Sequence, residues 1–247
     1  MTSPPRFEHC PSPNHGERAA GKPIDMIVFH YTGMPSAERA LKWLCDPESG
    51  VSSHYFVFED GRIAQLVEED RRAWHSGKSF WAGETDMNSR SIGIEIANPG
   101  HQFGYVPFPD AQIASLIDLC RDILTRHAIP PERILAHSDV APLRKEDPGE
   151  RFPWERLHAV GIGHWVPAVE PLVDGPALQV GDAGEAVAGL RARLAVYGYS
   201  ISHGPAFDTD TVAVVTAFQR HFRQARVDGV ADFSTIATLD RLLAALG

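Results

Sequence analysis

The chain has 247 residues, 43% hydrophobic and 22% charged, which is room for one large domain or one medium and one small domain of an ordinary globular protein. A formal net charge of -9 argues against a nucleic-acid partner, because phosphate binding wants a basic surface. No apolar run reaches the roughly 18–20 residues that a membrane span requires, so no span is expected. Cys10, Cys45 and Cys120 are odd in number and widely spaced, which argues against a disulfide framework and fits a reducing compartment. The opening stretch "MTSPPRFEHCPSPNHGER" lacks the apolar region of a secretory signal. A cytoplasmic location is therefore expected, with the periplasm as the alternative if a signal has been removed.

In chain order, "DMIVFHYT" (25–32) is a short apolar run read as a buried strand. "SSHYFVFEDGRIAQLVEE" (52–69) reads as a hairpin turning at Asp60-Gly61. "SIGIEIAN" (91–98) alternates and is rich in Ile, as a strand should be. Ile113, Leu116, Ile117, Cys120, Ile123 and Leu124 form a helical stripe within 109–128, with Asp110 as the expected N-cap and Pro130-Pro131 as the stop. "RILAH" (133–137) is the next expected strand. Strands mixed with helices predict an α/β domain over residues 1–165, built on a mixed central β-sheet flanked by helices. Residues 166–181 have the Pro and Gly content of a linker. Three further apolar stripes follow: Val187, Leu190 and Leu194; Val215, Phe218 and Phe222; Ile236, Leu239 and Leu243. Asp208 and Asp232 each stand three residues before a Thr, as helix caps. Residues 182–247 are thus expected to form a small all-α domain of three helices.

The stretch "AHSDVAPLRKEDPG" (136–149) carries the chemistry. His137 ends one expected strand and His30 ends another, and Asp147 stands before Pro148, which disfavours helical backbone and holds the carboxylate in a defined direction. Two histidines and a carboxylate are a donor set for catalytic zinc, which takes about three protein ligands and leaves a position for water. Singly these residues say little, since a strand-end His is ordinarily a hydrogen-bonded polar residue and Asp-Pro-Gly is ordinarily a turn. Glu95, flanked by Ile94 and Ile96, points opposite to them, on a strand face shared with the small Gly93 and Ala97. That face is either plain solvent or the seat of a general base. Lys145, two residues before Asp147, is expected on the same side of an extended loop, either as a solvated charge or as a cation aimed at an oxyanion.

Together "IVFHYT", "VSSHYFVFEDG", "AWHSGKS", "NSRSIGIEIAN" and "ILAHSDVAPLRKEDPG" resemble the zinc-dependent N-acetylmuramoyl-L-alanine amidase family over about residues 11–165. That resemblance implies zinc ligands at His30, His137 and Asp147, a catalytic acid/base at Glu95 and a transition-state stabiliser at Lys145. It also implies a substrate groove lined by His54, Trp74, His75 and Asn88, with Arg144 as a candidate for the stem-peptide carboxylate. Some family members have Tyr before the hairpin His; here it is Ser53, which favours the branch in which a strand Glu does the proton work. The implied substrates are peptidoglycan fragments, muropeptides and anhydro-muropeptides among them, in cell-wall recycling or turnover. "LRARLAVYGY", "FDTDTVAVVTAFQRHF" and "VDGVADFSTIATL" resemble the three-helix peptidoglycan-binding module, and a generic helical appendage or lid is the plainer alternative. Two other functions compete. A recognition protein of the same fold would lack part of the catalytic set, and a common zinc peptidase would carry a His-Glu-x-x-His helix, which is not in the sequence.

Overall fold

The computed structural model describes residues 7–170 and 175–246. Its strands are β1 (Phe7–His9), β2 (His15–Glu17), β3 (Met26–Tyr31), β4 (Tyr55–Val57), β5 (Ile63–Gln65), β6 (Arg71–Ala73), β7 (Ser91–Ile96) and β8 (Ile134–Ala136). Its α-helices are α1 (Ala37–Leu44), α2 (Met87–Arg90), α3 (Asp110–Arg126), α4 (His137–Val140), α5 (Trp154–His158), α6 (Glu185–Tyr197), α7 (Thr209–Phe222) and α8 (Phe233–Ala244). Six strands form one mixed sheet in the order β1-β5-β4-β7-β3-β8, and β2 pairs with β6 separately. Strands β4, β7, β3 and β8 are mutually parallel, while the hairpin over Asp60-Gly61 adds β5 antiparallel to β4. Gly61 supplies the left-handed turn with φ 87°, and its Cα lies so close to α3 that a Cβ would meet the Ala111 carbonyl oxygen at 2.9 Å.

Strand alternation sorts the side chains onto two faces. Ile27 and Phe29 of β3, Ile92, Ile94 and Ile96 of β7, and Tyr55 and Val57 of β4 pack under α3 through Ile113, Leu116 and Ile123. The other face carries Met26, Val28 and His30 of β3, and Ser91, Gly93 and Glu95 of β7. It is covered on one side by α1, whose Ala37, Ala40 and Leu44 pack with Phe56 of β4. On the other side the helical domain covers it: Met26, Val28 and Leu135 share one apolar cluster with Val187, Leu190, Tyr199 and Phe218. The domain contact is close, because a Cβ on Gly198 (φ 139°) would meet the Trp81 ring at 2.6 Å. The site therefore opens on the sheet face between α1 and the helical domain.

Two local expectations are corrected. Asp110 is the first helical residue of α3 and Pro109 is its cap; Asp110 pairs instead with Arg156 at 2.6 Å, where its charge still favours the helix N-terminus. The strand expected over 133–137 stops at Ala136, and His137 opens the one-turn helix α4, because the Asp139 carboxylate accepts the Ala136 N–H at 2.8 Å and closes the turn. Asp208 and Asp232 cap α7 and α8 by accepting the N–H groups of Thr211 and Thr235 at 2.9 and 2.8 Å. Of the expected linker, residues 171–174 lie outside the described residues.

Candidate active site

His30 is the fifth residue of β3, and parallel pairing sets it directly beside Glu95 of β7. β8 pairs on the other side of β3, so its end delivers His137 to the same place. The chain then turns over 141–145, where Lys145 N–H donates to the Ala141 carbonyl at 3.0 Å. This turn replaces the extended loop expected at Lys145. Asp147 comes back against α4, and its carbonyl accepts the Ser138 N–H at 3.0 Å.

The result is a buried triangle. His30 Nδ1 is 2.9 Å from His137 Nδ1 and 3.2 Å from Asp147 Oδ2, and His137 Nδ1 is 3.0 Å from the same oxygen. Tetrahedral zinc with bonds of about 2.0–2.1 Å needs donors roughly 3.3 Å apart, so the three residues fit that ion in spacing and in donor chemistry. Their outward nitrogens are tied down, as metal-ligating imidazoles require. His137 Nε2 faces the Ser76 carbonyl at 3.2 Å, which assigns the proton to Nε2 and leaves Nδ1 as a lone pair. His30 Nε2 lies 3.1 Å from His75 Nδ1, His75 Nε2 lies 3.2 Å from Ser91 Oγ, and Ser91 Oγ donates to the Met87 carbonyl at 2.6 Å. One hydrogen-bond chain thus runs from His30 into the floor of the domain.

Burial, reinforced by His137, lowers His30 to a pKa of about 4, so it is a neutral donor at physiological pH. Burial alone would raise the Asp147 carboxyl, but His137 and His30 outweigh it and hold it well below the usual carboxylate range. Glu95 is the opposite case: burial and then the Asp147 charge push it well above 4.5. Its Oε2 is buried with no hydrogen-bond partner, an acceptor available for a proton and unclaimed by the protein.

These groups line a cleft of about 410 Å³ that also includes Lys145, Arg144, Trp74 and His75. Arg144 is exposed, and its guanidinium donates to the Ser76 and Lys78 carbonyls, so it also holds the 76–78 loop. His54 and Asn88 are corrected as groove residues. His54 is fully buried, with Nδ1 accepting the Gly93 N–H at 2.9 Å and Nε2 near the Arg71 carbonyl; burial and the Arg18 charge lower its pKa to about 3. Asn88 is buried behind the 75–76 loop, where its Oδ1 accepts the N–H groups of His75 and Ser76 at 3.2 and 2.9 Å. Both support the cleft from behind.

Sequence reasoning passed over Ser76 and Ser91, and read Gly93 only as a small residue sharing the face of Glu95. Ser91 is legible in hindsight, since Ser91, Gly93 and Glu95 alternate along one face of β7. Gly93 is required by proximity: a Cβ there would meet the His75 ring at 2.4 Å. Trp43, half exposed on α1, and Gln102 also line the cleft without a sequence signal.

A parallel-centred sheet that converges two imidazoles and a carboxylate, with an unpartnered glutamate oxygen beside them, has the donor set of a metal-dependent hydrolase. The profile of the N-acetylmuramoyl-L-alanine amidase family matches residues 20–150, and that of a peptidoglycan-binding domain matches residues 183–239. The chain belongs to the N-acetylmuramoyl-L-alanine amidase family. It is 39% identical over 248 aligned residues to the N-acetylmuramoyl-L-alanine amidase AmiD of Escherichia coli, covering 93% of this chain and 86% of that one. The solved structure of E. coli AmiD with anhydro-N-acetylmuramic acid-L-Ala-D-gamma-Glu-L-Lys superposes with a TM-score of 0.78 at 38% identity, covering 94% of this chain and 93% of that one. The 1,6-anhydro-N-acetylmuramyl-L-alanine amidase AmpD of Enterobacter cloacae is 32% identical, over 62% of this chain and 88% of its own length. Among the described residues, no helix is long and apolar enough to cross a membrane.

Proposed function

We propose that this chain hydrolyses the amide between the lactyl carbonyl of N-acetylmuramic acid, including its 1,6-anhydro form, and the L-alanine of the stem peptide, in cell-wall recycling. The observation that carries this reading is the His30/His137/Asp147 triangle with the free Glu95 oxygen next to it. His30 Nδ1, His137 Nδ1 and an Asp147 oxygen would hold zinc. Zinc supplies Lewis acidity toward the scissile carbonyl and toward water.

Glu95 accepts a proton from the attacking water and returns it to the nitrogen of the leaving L-Ala, so its raised pKa suits both halves of the cycle. Lys145 places its ammonium by the oxygen that becomes negative. His75 keeps the His30 ring in the tautomer and orientation that direct Nδ1 inward. Trp74 offers a cleft-wall surface for the sugar or peptide, and Arg144 a guanidinium for a stem-peptide carboxylate. We read residues 1–165 as the catalytic domain, 166–181 as the connection and 182–247 as a peptidoglycan-binding helical domain. Three free cysteines accord with a reducing compartment, which supports a cytoplasmic place for the reaction.

The test is metal depletion followed by titration with zinc, scored by mass spectrometry of defined muropeptides. Loss of peptide release on depletion and its return at one equivalent of zinc support the proposal. Peptide release that is indifferent to depletion overturns it.

A further inference from the structure

The helical domain is joined to the catalytic domain by more than apolar packing. Asp139, fully buried and two residues after His137, accepts three hydrogen bonds. One comes from its own turn, Ala136 N–H at 2.8 Å. The other two come from the helical domain: Tyr199 O–H at 2.7 Å and His221 Nδ1 at 2.7 Å. The His221 ring is fixed between Trp154 and Phe222, with centroids 3.6 and 3.8 Å away. Its Nε2 is buried without a partner, which places the ring proton on Nδ1, facing the carboxylate. The neighbouring Arg220 reaches the other ligand segment, with Nη2 donating to Glu146 at 3.4 Å and Nε, not hydrogen-bonded, 3.9 Å from the Glu150 charge, on either side of Asp147.

Consecutive residues of α7 thus grip the two chain segments that carry His137 and Asp147, and those segments are bonded to each other through Ser138 N–H and the Asp147 carbonyl. Simple docking does not call for this arrangement. A carboxylate buried at a domain interface is costly unless every donor is present, and an apolar contact would hold the domains at least as well. What directional bonds add is a fixed orientation.

We propose that Tyr199, His221 and Arg220 are positioning residues for the metal site, and that the helical domain sets the geometry of His137 and Asp147. This rests on the reading of those residues as zinc ligands, and the experiment separates the two. Zinc affinity is measured first on the full-length wild-type chain by competition with a chromophoric chelator. Failure of the wild type to bind zinc removes the ligand reading itself. With wild-type binding established, Tyr199→Phe and His221→Phe keep their rings and lose one donor each. Each is expected to weaken zinc binding by about 10-fold, at the lower end of the effect of ligand-supporting residues, and to lower kcat with little change in KM. His221→Gln, which restores an N–H donor, should recover most of the affinity. His164→Leu removes an interdomain bond to Tyr197 (2.8 Å) that is not itself bonded to the ligand segments, and should lower the melting temperature without moving zinc affinity. Zinc affinity unchanged in folded Tyr199→Phe, or lowered equally by His164→Leu, would reduce the grip to docking and overturn the proposal.

Discussion

Gly93→Ala tests whether His75 orients the metal site. The added methyl would stand 2.4 Å from His75 Cγ, 2.5 Å from Cδ2 and 2.6 Å from Nδ1, all in a buried and fully packed place. Ordinary carbon contacts need about 3.5 Å, so the ring must retreat by roughly 1 Å. The Nδ1 contact to His30 Nε2 is already 3.1 Å and the Nε2 contact to Ser91 Oγ is 3.2 Å, so such a shift carries at least one of them beyond hydrogen-bond range. Overpacking of this kind costs about 1–3 kcal/mol of stability. Loss of a ligand's hydrogen-bond partner weakens metal binding by about 10–100-fold. Chelator competition and thermal unfolding should therefore both respond. The double variant Gly93→Ala/His75→Ala should regain stability relative to Gly93→Ala, because the clash is removed, but not zinc affinity, because the partner of His30 is still missing. Wild-type zinc affinity in Gly93→Ala, or full recovery of affinity in the double variant, would refute the role given to His75.

Glu95→Gln should lower kcat by about 10²–10⁴-fold while leaving bound zinc at the wild-type level, measured by elemental analysis beside a turnover assay. Lys145→Ala should cost about 10²–10³ in kcat with a smaller effect on zinc content. A structural prediction concerns Glu69, which accepts from Tyr55 O–H at 2.7 Å and pairs with Arg126 and His127 at 2.8 and 2.7 Å. Burial opposes its ionisation, but these partners prevail and lower its pKa from 4.5 to about 2, a change worth about 3 kcal/mol. Because the folded value is the lower one, that stability is present above pH 4.5 and disappears as pH falls through about 2. Glu69→Gln should accordingly be destabilised in denaturant melts at pH 7, with the gap to wild type closing below about pH 2.

Much of this architecture is written in local patterns. Alternation along "SIGIEIAN" sends three isoleucines under α3 and leaves Glu95 on the opposite face. The Asp caps of α7 and α8 are side-chain to backbone bonds within three residues, so spacing alone reveals them. The convergence of His30, His137 and Asp147 comes from parallel pairing of β8 and β3, which spacing does not encode; the ordered motifs supplied it through family resemblance. What escaped the sequence is tertiary in origin. His54 and Asn88 look like groove residues by motif, yet their polar atoms are spent on the backbone of Gly93, His75 and Ser76. The one-turn helix at His137 depends on a carboxylate that folds back two residues later and is held by a distant domain. Helix α1 is short, and its cap at Ser36 and its apolar face of Ala37, Ala40 and Leu44 matter only against β4.

The most direct measurement is the product mass spectrum of an anhydro-muropeptide incubated with zinc-loaded wild type and with zinc-loaded Glu95→Gln. The account predicts free stem peptide and free anhydro-sugar from the wild type, and intact substrate from the variant at equal zinc content. Intact substrate from both, or cleavage within the stem peptide instead of at the sugar–alanine amide, would contradict it.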